Sequence, residues 1–169
     1  CPPAPKETDN IWVDARSPTP VFPFATRATA ANSIDFALFA ARATGKRTLF
    51  VLRGTYPETV TIDNTLNGLK LFGESFGNCN QPTLAGQGIR RLIRIDGARN
   101  IHICGFNIVD GLGSGRNQGR GAGARIQDST GITFEFCCFE GNQGSFGGAV
   151  YAENSSGSFR NCLFRNYNT

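Results

Sequence analysis

Short alternating runs of apolar and polar residues recur along the chain and predict β-strands. Alternation over three to five residues, with β-branched or aromatic side chains, is typical of strands that bury one face. One set of runs comprises VTID (60–63), IRID (93–96), ARIQD (124–128) and AVYAE (149–153). Each leads through a short polar turn to a second run: GLKLFGE (68–74), IHI (101–103), ITFEF (132–136) or SFRN (158–161).

A Cys-x-Phe phrase accompanies three of the second runs, and its cysteines lie 33 and 25 residues apart. Strands this short become stable when each repeat stacks on the next. We therefore expect coils about 4.8 Å apart, with equivalent side chains in buried columns. The expected columns are Ile62, Ile95 and Ile126; then Cys104, Cys137 and Cys162; then Phe106, Phe139 and Phe164.

One segment, NSIDFALFAARATGK (32–46), has the pattern of an amphipathic helix. Ile34, Ala37, Leu38 and Ala41 follow helical spacing, a serine or asparagine precedes them, and Gly45 follows. A solenoid exposes apolar surface at its ends, so we expect this helix to cap the first coil. The sequence thus predicts one all-β domain, a parallel β-solenoid with an N-terminal capping α-helix. Residues 1–48 form the extended segment and cap, and residues 49–169 form the coils.

Two stretches resemble known β-helix families. LFVLRGTYPETVTIDNTLNGLKLFGE (49–74) resembles the opening of right-handed parallel β-helix proteins of the pectin-lyase-like superfamily. FEGN (139–142) and GGAV (147–150) resemble the F-x-x-N and GGA-[IVL] repeats of polymorphic outer-membrane proteins, while FRNY (164–167) and GAGARI (121–126) depart from them. The resemblance implies a right-handed parallel β-helix. The superfamily includes lyases, hydrolases, esterases, adhesins and structural proteins, so it leaves activity open.

Composition favours an ordinary folded domain over several other classes. Of 169 residues, 40% are hydrophobic and 18% are charged, with a net charge of +4. Lysines are few and the arginines are scattered, so the charge does not predict nucleic-acid binding. No apolar run approaches the roughly 18 residues of a membrane span. The sequence contains no methionine, from which we expect a mature, processed chain or an excised fragment.

Six cysteines and a single histidine form no metal-binding spacing, so we expect no metal and an oxidising compartment. Cys1, Cys79 and Cys138 are the disulfide candidates, because they lie in loops or point outward. The alternative interpretation of Cys1 is an N-terminal cysteine that carries a lipid. NSS (154–156) makes Asn154 a glycosylation acceptor if the host is eukaryotic.

GTYPE (54–58) also resembles a segment of pectin methylesterases, but their QDTL and DFIFG motifs are absent from this sequence. We therefore expect Tyr56 and Glu58 to form a turn and pack. The glycine-rich stretch 110–123 lacks the lysine and helix of a phosphate loop, so we expect a flexible loop.

Arg94 and Arg125 each precede an isoleucine of the same column, so both should point outward from one sheet. Stacked like charges need neutralising by an acidic sugar, a sulfate or neighbouring acids such as Asp96 and Asp128. Pectate lyases use an arginine base beside calcium ligands. Resemblance to them implies a catalytic alternative in which Arg94, Arg125, Asp96 and Asp128 act with calcium. His102 also points outward and is a further ligand-binding candidate.

The last repeat has no predicted cap, so Phe159, Cys162, Phe164 and Tyr167 form a candidate interface. Two functions follow. The first is a non-enzymatic extracellular or cell-surface module, structural or adhesive, that needs no cofactor and assembles with a protein partner or itself through this coil. The alternative is a carbohydrate-active enzyme, lyase or hydrolase, or a carbohydrate-binding domain, acting on acidic polysaccharide.

Overall fold

The chain winds through three parallel sheets and forms a solenoid. The computed structural model describes residues 1, 10–74, 81–113 and 119–166. The first sheet contains, in order, β1 (Ile11–Val13), β2 (Thr48–Val51), β5 (Lys70–Gly73), β8 (His102–Cys104), β11 (Ile132–Glu135) and β14 (Gly157–Arg160). The second contains β3 (Thr55–Tyr56), β6 (Thr83–Ala85), β9 (Asn107–Val109), β12 (Cys138–Glu140) and β15 (Leu163–Arg165). The third contains β4 (Val60–Asp63), β7 (Ile93–Asp96), β10 (Ala124–Gln127) and β13 (Val150–Glu153).

From β2 to β13, each turn of the chain adds one strand to every sheet, in the order first, second, third; β1 precedes these turns, and β14 and β15 extend the first and second sheets. All described strand pairs are parallel, so equivalent positions of successive turns lie side by side. We call the turn beginning with β11 the fourth coil and the turn beginning with β14 the last coil. The polar turns between the third and first sheets occur where the sequence predicts them.

Helix α1 (Ile34–Thr44) covers the first coil, as its apolar pattern predicts. Ser33 Oγ accepts a hydrogen bond from Phe36 N, which caps the start, and Gly45 ends the helix in a left-handed conformation at φ 74°. A 3-10 helix at Arg27–Thr29 precedes it, and another at Asn64–Leu66 follows β4. None of the described helices combines the length and the apolar character that crossing a bilayer requires.

Buried columns run through the interior. Ile62, Ile95 and Ile126 are neighbours in register across the third sheet, as the sequence predicts. All three are buried. In β4 and β7 the residue before each isoleucine, Thr61 or Arg94, is exposed, as expected for strands with one face in the core. The main hydrophobic cluster runs along the stacked coils, and a second, smaller cluster contains Trp12, Phe50, Phe72 and Cys104.

The predicted register of Cys104 and Phe106 is wrong by two residues. Ile103 pairs with Phe134 and Ile108 with Phe139, so equivalent positions here are 31 residues apart, not the 33 that separate Cys104 from Cys137. The error arises because Cys-x-Phe recurs in sequence, whereas strand register is set by which side chains are buried. Cys104 belongs to the first sheet.

The consequence is that Phe106, although fully buried, falls at the position of Cys137, and Ile108 takes the place expected for Phe106. Phe139 and Phe164 are register partners in β12 and β15. Their column contains isoleucine rather than phenylalanine on the preceding coil.

Candidate functional site

The outer face of the third sheet carries a row of aligned polar side chains. Alternate residues of β7 and β10 are buried, so Arg94 and Arg125 point outward between them. Strand register places Arg125 directly beside Arg94, Thr61 on one side of the pair and Tyr151 on the other. Neighbouring strands are about 4.8 Å apart, so the two guanidinium groups belong to one local site.

Each arginine of this row contacts a polar residue of its own strand. Arg94 Nη2 donates to Asp96 Oδ2 at 3.1 Å, and Arg125 Nη2 donates to Gln127 Oε1. Gln127 is neutral, so this contact leaves the charge of Arg125 uncompensated. Arg125 Nε is buried and finds no acceptor among the described residues. Arg125 is therefore the member of the pair with unused capacity to bind an anion.

Arg91 lies beside this pair and is held by backbone carbonyls. Its Nε donates to Gly121 O and its Nη2 to Arg120 O, both at 2.9 Å. Burial lowers the pKa of Arg91, and the positive charges of Arg125 and Arg94 lower it further. The three guanidinium groups are thus close enough to interact unfavourably, and a bound anion would relieve that cost.

Arg120 extends the positive surface toward β13 of the fourth coil. Its guanidinium carbon lies 5.1 Å from the ring centre of Tyr151, a cation–π distance, and its Nη1 lies 3.6 Å from Glu153 Oε2. The acids bordering this surface, Asp96 and Glu153, each already pair with an arginine. We call this surface the arginine face; it consists of Arg91, Arg94, Arg120, Arg125 and Tyr151.

Two sequence candidates lie elsewhere. Asp128 follows β10 in a turn, with φ 49°, and its Oδ1 accepts a hydrogen bond from Asn154 Nδ2 at 3.2 Å. His102 belongs to β8 of the first sheet, where it packs edge-on against Phe72 at 5.3 Å. The structure therefore brings together Arg94, Arg125 and Asp96, places His102 on a different sheet, and gives Asp128 a contact with Asn154 rather than with an arginine. Asn154 is exposed, as a glycosylation acceptor must be.

His102 contributes to a different cluster. Its Nε2 lies 3.1 Å from Glu135 Oε2, and Cys104 Sγ lies within 4.8 Å of both groups. However, that sulfur is bonded to Cys1, with 5.6 Å between the two α-carbons. Since metals bind the thiolate rather than the disulfide, this cluster has at most two usable ligands.

The burial of Cys137 and Cys138 differs from the prediction made from strand alternation. Cys137 and Cys138 are both buried, although alternation predicts one inward and one outward thiol. Cys137 packs in the main core, and Cys162 is half-buried against it. Cys79 and Tyr167 lie outside the described residues.

Tyr56 and Glu58 have structural contacts. The hydroxyl of Tyr56 is buried, donates to Leu52 O at 2.8 Å and accepts from Ala15 N. Burial raises its pKa above the ordinary range. Glu58 accepts from Ile34 N at 2.9 Å and from the next backbone N–H of α1, so it caps the helix. Burial raises its pKa more than these two hydrogen bonds lower it.

The last coil exposes aromatic rings that are buried one coil earlier. Phe134 stacks on Phe159 with ring centres 5.2 Å apart, and Phe139 stacks on Phe164 at 4.9 Å. The first member of each pair is fully buried, whereas Phe159 is 42% exposed and Phe164 is 39% exposed. Leu163 beside them is 47% exposed. No described strand pairs with the outer edge of this coil.

An apolar groove beside α1 was missed by the sequence interpretation. It is lined by Pro20, Phe22, Phe24, Asp35, Phe36 and Phe39. Phe36 and Phe39 are both more than half exposed, on the helix face opposite its buried alanines. The signal in the sequence was the pair of phenylalanines three residues apart on the polar side of the predicted helix.

Comparison of the chain with protein-family models, with curated proteins and with solved structures found no match.

Proposed function

We propose that this chain is a non-catalytic module of the right-handed parallel β-helix type, similar to the pectin-lyase-like proteins, that assembles through its last coil. The observation that supports this most is the pair of aromatic columns ending in Phe159 and Phe164. Their partners one coil earlier are covered completely, so a further β-layer would bury these two rings in the same manner.

The occupant is a β-edge whose strands continue the three sheets, and a second copy of the chain is the simplest one. β13, β14 and β15 present unpaired backbone groups to it, in the described part of the chain. Unpaired edges beside apolar side chains favour strand addition, because both hydrogen bonds and burial are gained together. A disulfide between Cys1 and Cys104 supports an extracellular or cell-surface location.

Sedimentation velocity over a range of protein concentrations tests this assembly. We expect the wild type to associate as concentration rises and Leu163→Lys to remain monomeric, since a lysine there would be buried on docking. Ile89→Lys is the matched control, because Ile89 is 65% exposed in a loop away from the last coil. A wild type that stays monomeric throughout, or a Leu163→Lys variant that associates normally, contradicts the proposal.

The arginine face supports a second candidate function, binding of an acidic polysaccharide. Arg94 and Arg125 repeat at the strand spacing, and Tyr151 offers a ring for packing against a sugar. Guanidinium groups bind carboxylates and sulfates through two parallel hydrogen bonds. An elongated anion lying across the coils would therefore meet successive positive charges.

Titration calorimetry with a uronate oligomer tests this binding. Arg125→Gln should weaken binding, while Lys70→Gln, which removes one charge from the first sheet, should not. The same oligomer incubated with protein and calcium tests for turnover through the absorbance of unsaturated ends. If this absorbance appears with the wild type and is lost in Arg125→Gln, the function of the arginine face is lyase activity rather than binding alone. Equal affinities of the wild type and both variants would show that the arginine face is not the binding site for the oligomer.

A further inference from the structure

Two thiols meet between the fourth coil and the last coil. Cys138 pairs with Leu163, and Leu163 N donates to Cys137 O at 2.9 Å. The preceding residues, Cys137 and Cys162, therefore lie side by side, each immediately before its strand. Neighbouring strands place α-carbons about 4.8 Å apart, which lies within the range of about 4.4–6.8 Å found in disulfides.

The two thiols differ in access to solvent. Cys137 is 2% exposed, with Sγ 3.7 Å from Ile103 O, deep in the core. Cys162 is half-buried at the surface of the last coil, with Sγ 3.5 Å from Phe134 O. An attacking reagent therefore reaches Cys162 first, and Cys137 is placed behind it.

The two neighbouring thiols differ in acidity. Interaction with the Cys137 side chain, and with nearby backbone groups, lowers the pKa of Cys162 to about 7. Burial raises the pKa of Cys137. At neutral pH a large fraction of Cys162 is thus thiolate, the nucleophilic form, while Cys137 keeps its proton.

We propose that Cys137 and Cys162 form a redox-active dithiol that reacts with a low-molecular-weight disulfide and closes into a bond between the last two coils. The Cys162 thiolate attacks one sulfur of the reagent disulfide and expels its other half as a thiolate. Cys137 then attacks Cys162 Sγ, giving its proton to solvent and expelling the second half. One disulfide is consumed, two reagent thiols are released, and the protein dithiol is oxidised.

This reaction does not depend on the proposed assembly, because both thiols belong to one chain. Its effect concerns the last coil, which within the described residues contacts a neighbouring coil on one side. A bond between residues 25 apart restricts how far that coil can open. The oxidised pair would therefore hold the exposed Phe159 and Phe164 in place.

Glutathione disulfide, added to the native protein at pH 7.5, tests the proposal by peptide mapping. Trypsin cleaves after Arg125, Arg160 and Arg165, so Cys162 is released in peptide 161–165 and Cys137 in peptide 126–160. We expect these two peptides to become linked in the wild type. In Cys137→Ala, we expect glutathione to remain attached to Cys162 instead.

Cys138→Ala is the matched control, because Cys138 lies in the same tryptic peptide but is opposite Leu163 rather than Cys162. It should form the link to 161–165 as the wild type does. Circular dichroism of each variant checks that the fold is retained. Loss of the link in Cys138→Ala, stable glutathione on Cys162 of the wild type, or reaction of Cys162 only after denaturation would each overturn the proposal.

Discussion

The ring of Phe164 lies parallel to the ring of Phe139, with 4.9 Å between their centres and 7° between their planes. The two residues are register partners in β15 and β12, yet one is fully buried and the other is 39% exposed. This contrast arises because Phe139 has a coil on both sides and Phe164 has a described coil on one. The two phenylalanines therefore contribute different amounts to the free energy of unfolding, although they occupy the same column.

Truncating each ring measures that difference. Phe139→Ala should lower the free energy of unfolding by about 3–5 kcal/mol, since it removes a buried ring and leaves a cavity. Phe164→Ala should cost about 1 kcal/mol, because much of that ring already contacts water. Urea denaturation of both variants, at a protein concentration where the wild type is a monomer, checks this. Equal losses under that condition would contradict the predicted difference.

Glu58 should contribute to the stability of the cap on the first coil. Its two carboxylate oxygens accept from Ile34 N and Asp35 N, two backbone donors that the helix itself leaves unsatisfied. Glu58→Ala should lower the free energy of unfolding by about 1–2 kcal/mol. Glu58→Gln, which retains one acceptor oxygen, should lose less. Denaturation curves that are identical for wild type and Glu58→Ala would contradict the capping role.

Asn142 should contribute more to the free energy of unfolding than the exposed Asn154. It is fully buried; its Nδ2 donates to Ile108 O at 2.8 Å, and its Oδ1 accepts from Gly111 N at 2.9 Å. Asn142→Ala leaves the buried Gly111 N without its acceptor, removes the bond to Ile108 O, and should cost about 2–4 kcal/mol. Asn154→Ala, at an exposed turn, should change stability by less than about 0.5 kcal/mol. Thermal denaturation compares the two, and a similar shift in both variants would count against this assignment.

The alkylation rate of Cys162 should depend on pH with a midpoint near 7, because its pKa is lowered to about 7 from the ordinary 9.0. Below the midpoint the rate should fall about tenfold per pH unit, since only the thiolate reacts. In Cys137→Ala the midpoint should move back toward 9.0, because the Cys137 side chain is the largest cause of the lowered pKa and is gone. Iodoacetamide labelling followed by mass spectrometry measures this.

The same shift affects stability, and its sign follows from the two pKa values. The folded state holds the Cys162 thiolate more favourably than the unfolded chain does. Its contribution is therefore complete above the ordinary pKa of 9.0 and is lost as pH falls through about 7. A midpoint of alkylation near 9 in the wild type would exclude both effects.

The repeating pattern by itself determined much of the architecture. Alternation in 60–63, 93–96 and 124–128 was sufficient to predict the column of Ile62, Ile95 and Ile126 and the outward position of Arg94 beside Arg125. The helix with its serine cap and Gly45 terminus was also predictable. These features are local, because side-chain alternation and helix capping depend on residues a few positions apart.

Only the tertiary structure decided the long-range relationships. The bond between Cys1 and Cys104 joins residues 103 positions apart, and no local pattern specifies such a pairing. The recurring Cys-x-Phe motif predicted that Cys104 aligns with Cys137. In the structure Ile103 pairs with Phe134 and Ile108 with Phe139, so the register is shifted by two residues. Register and disulfide pairing both depend on which surfaces meet in the folded chain, and sequence periodicity constrains these only indirectly.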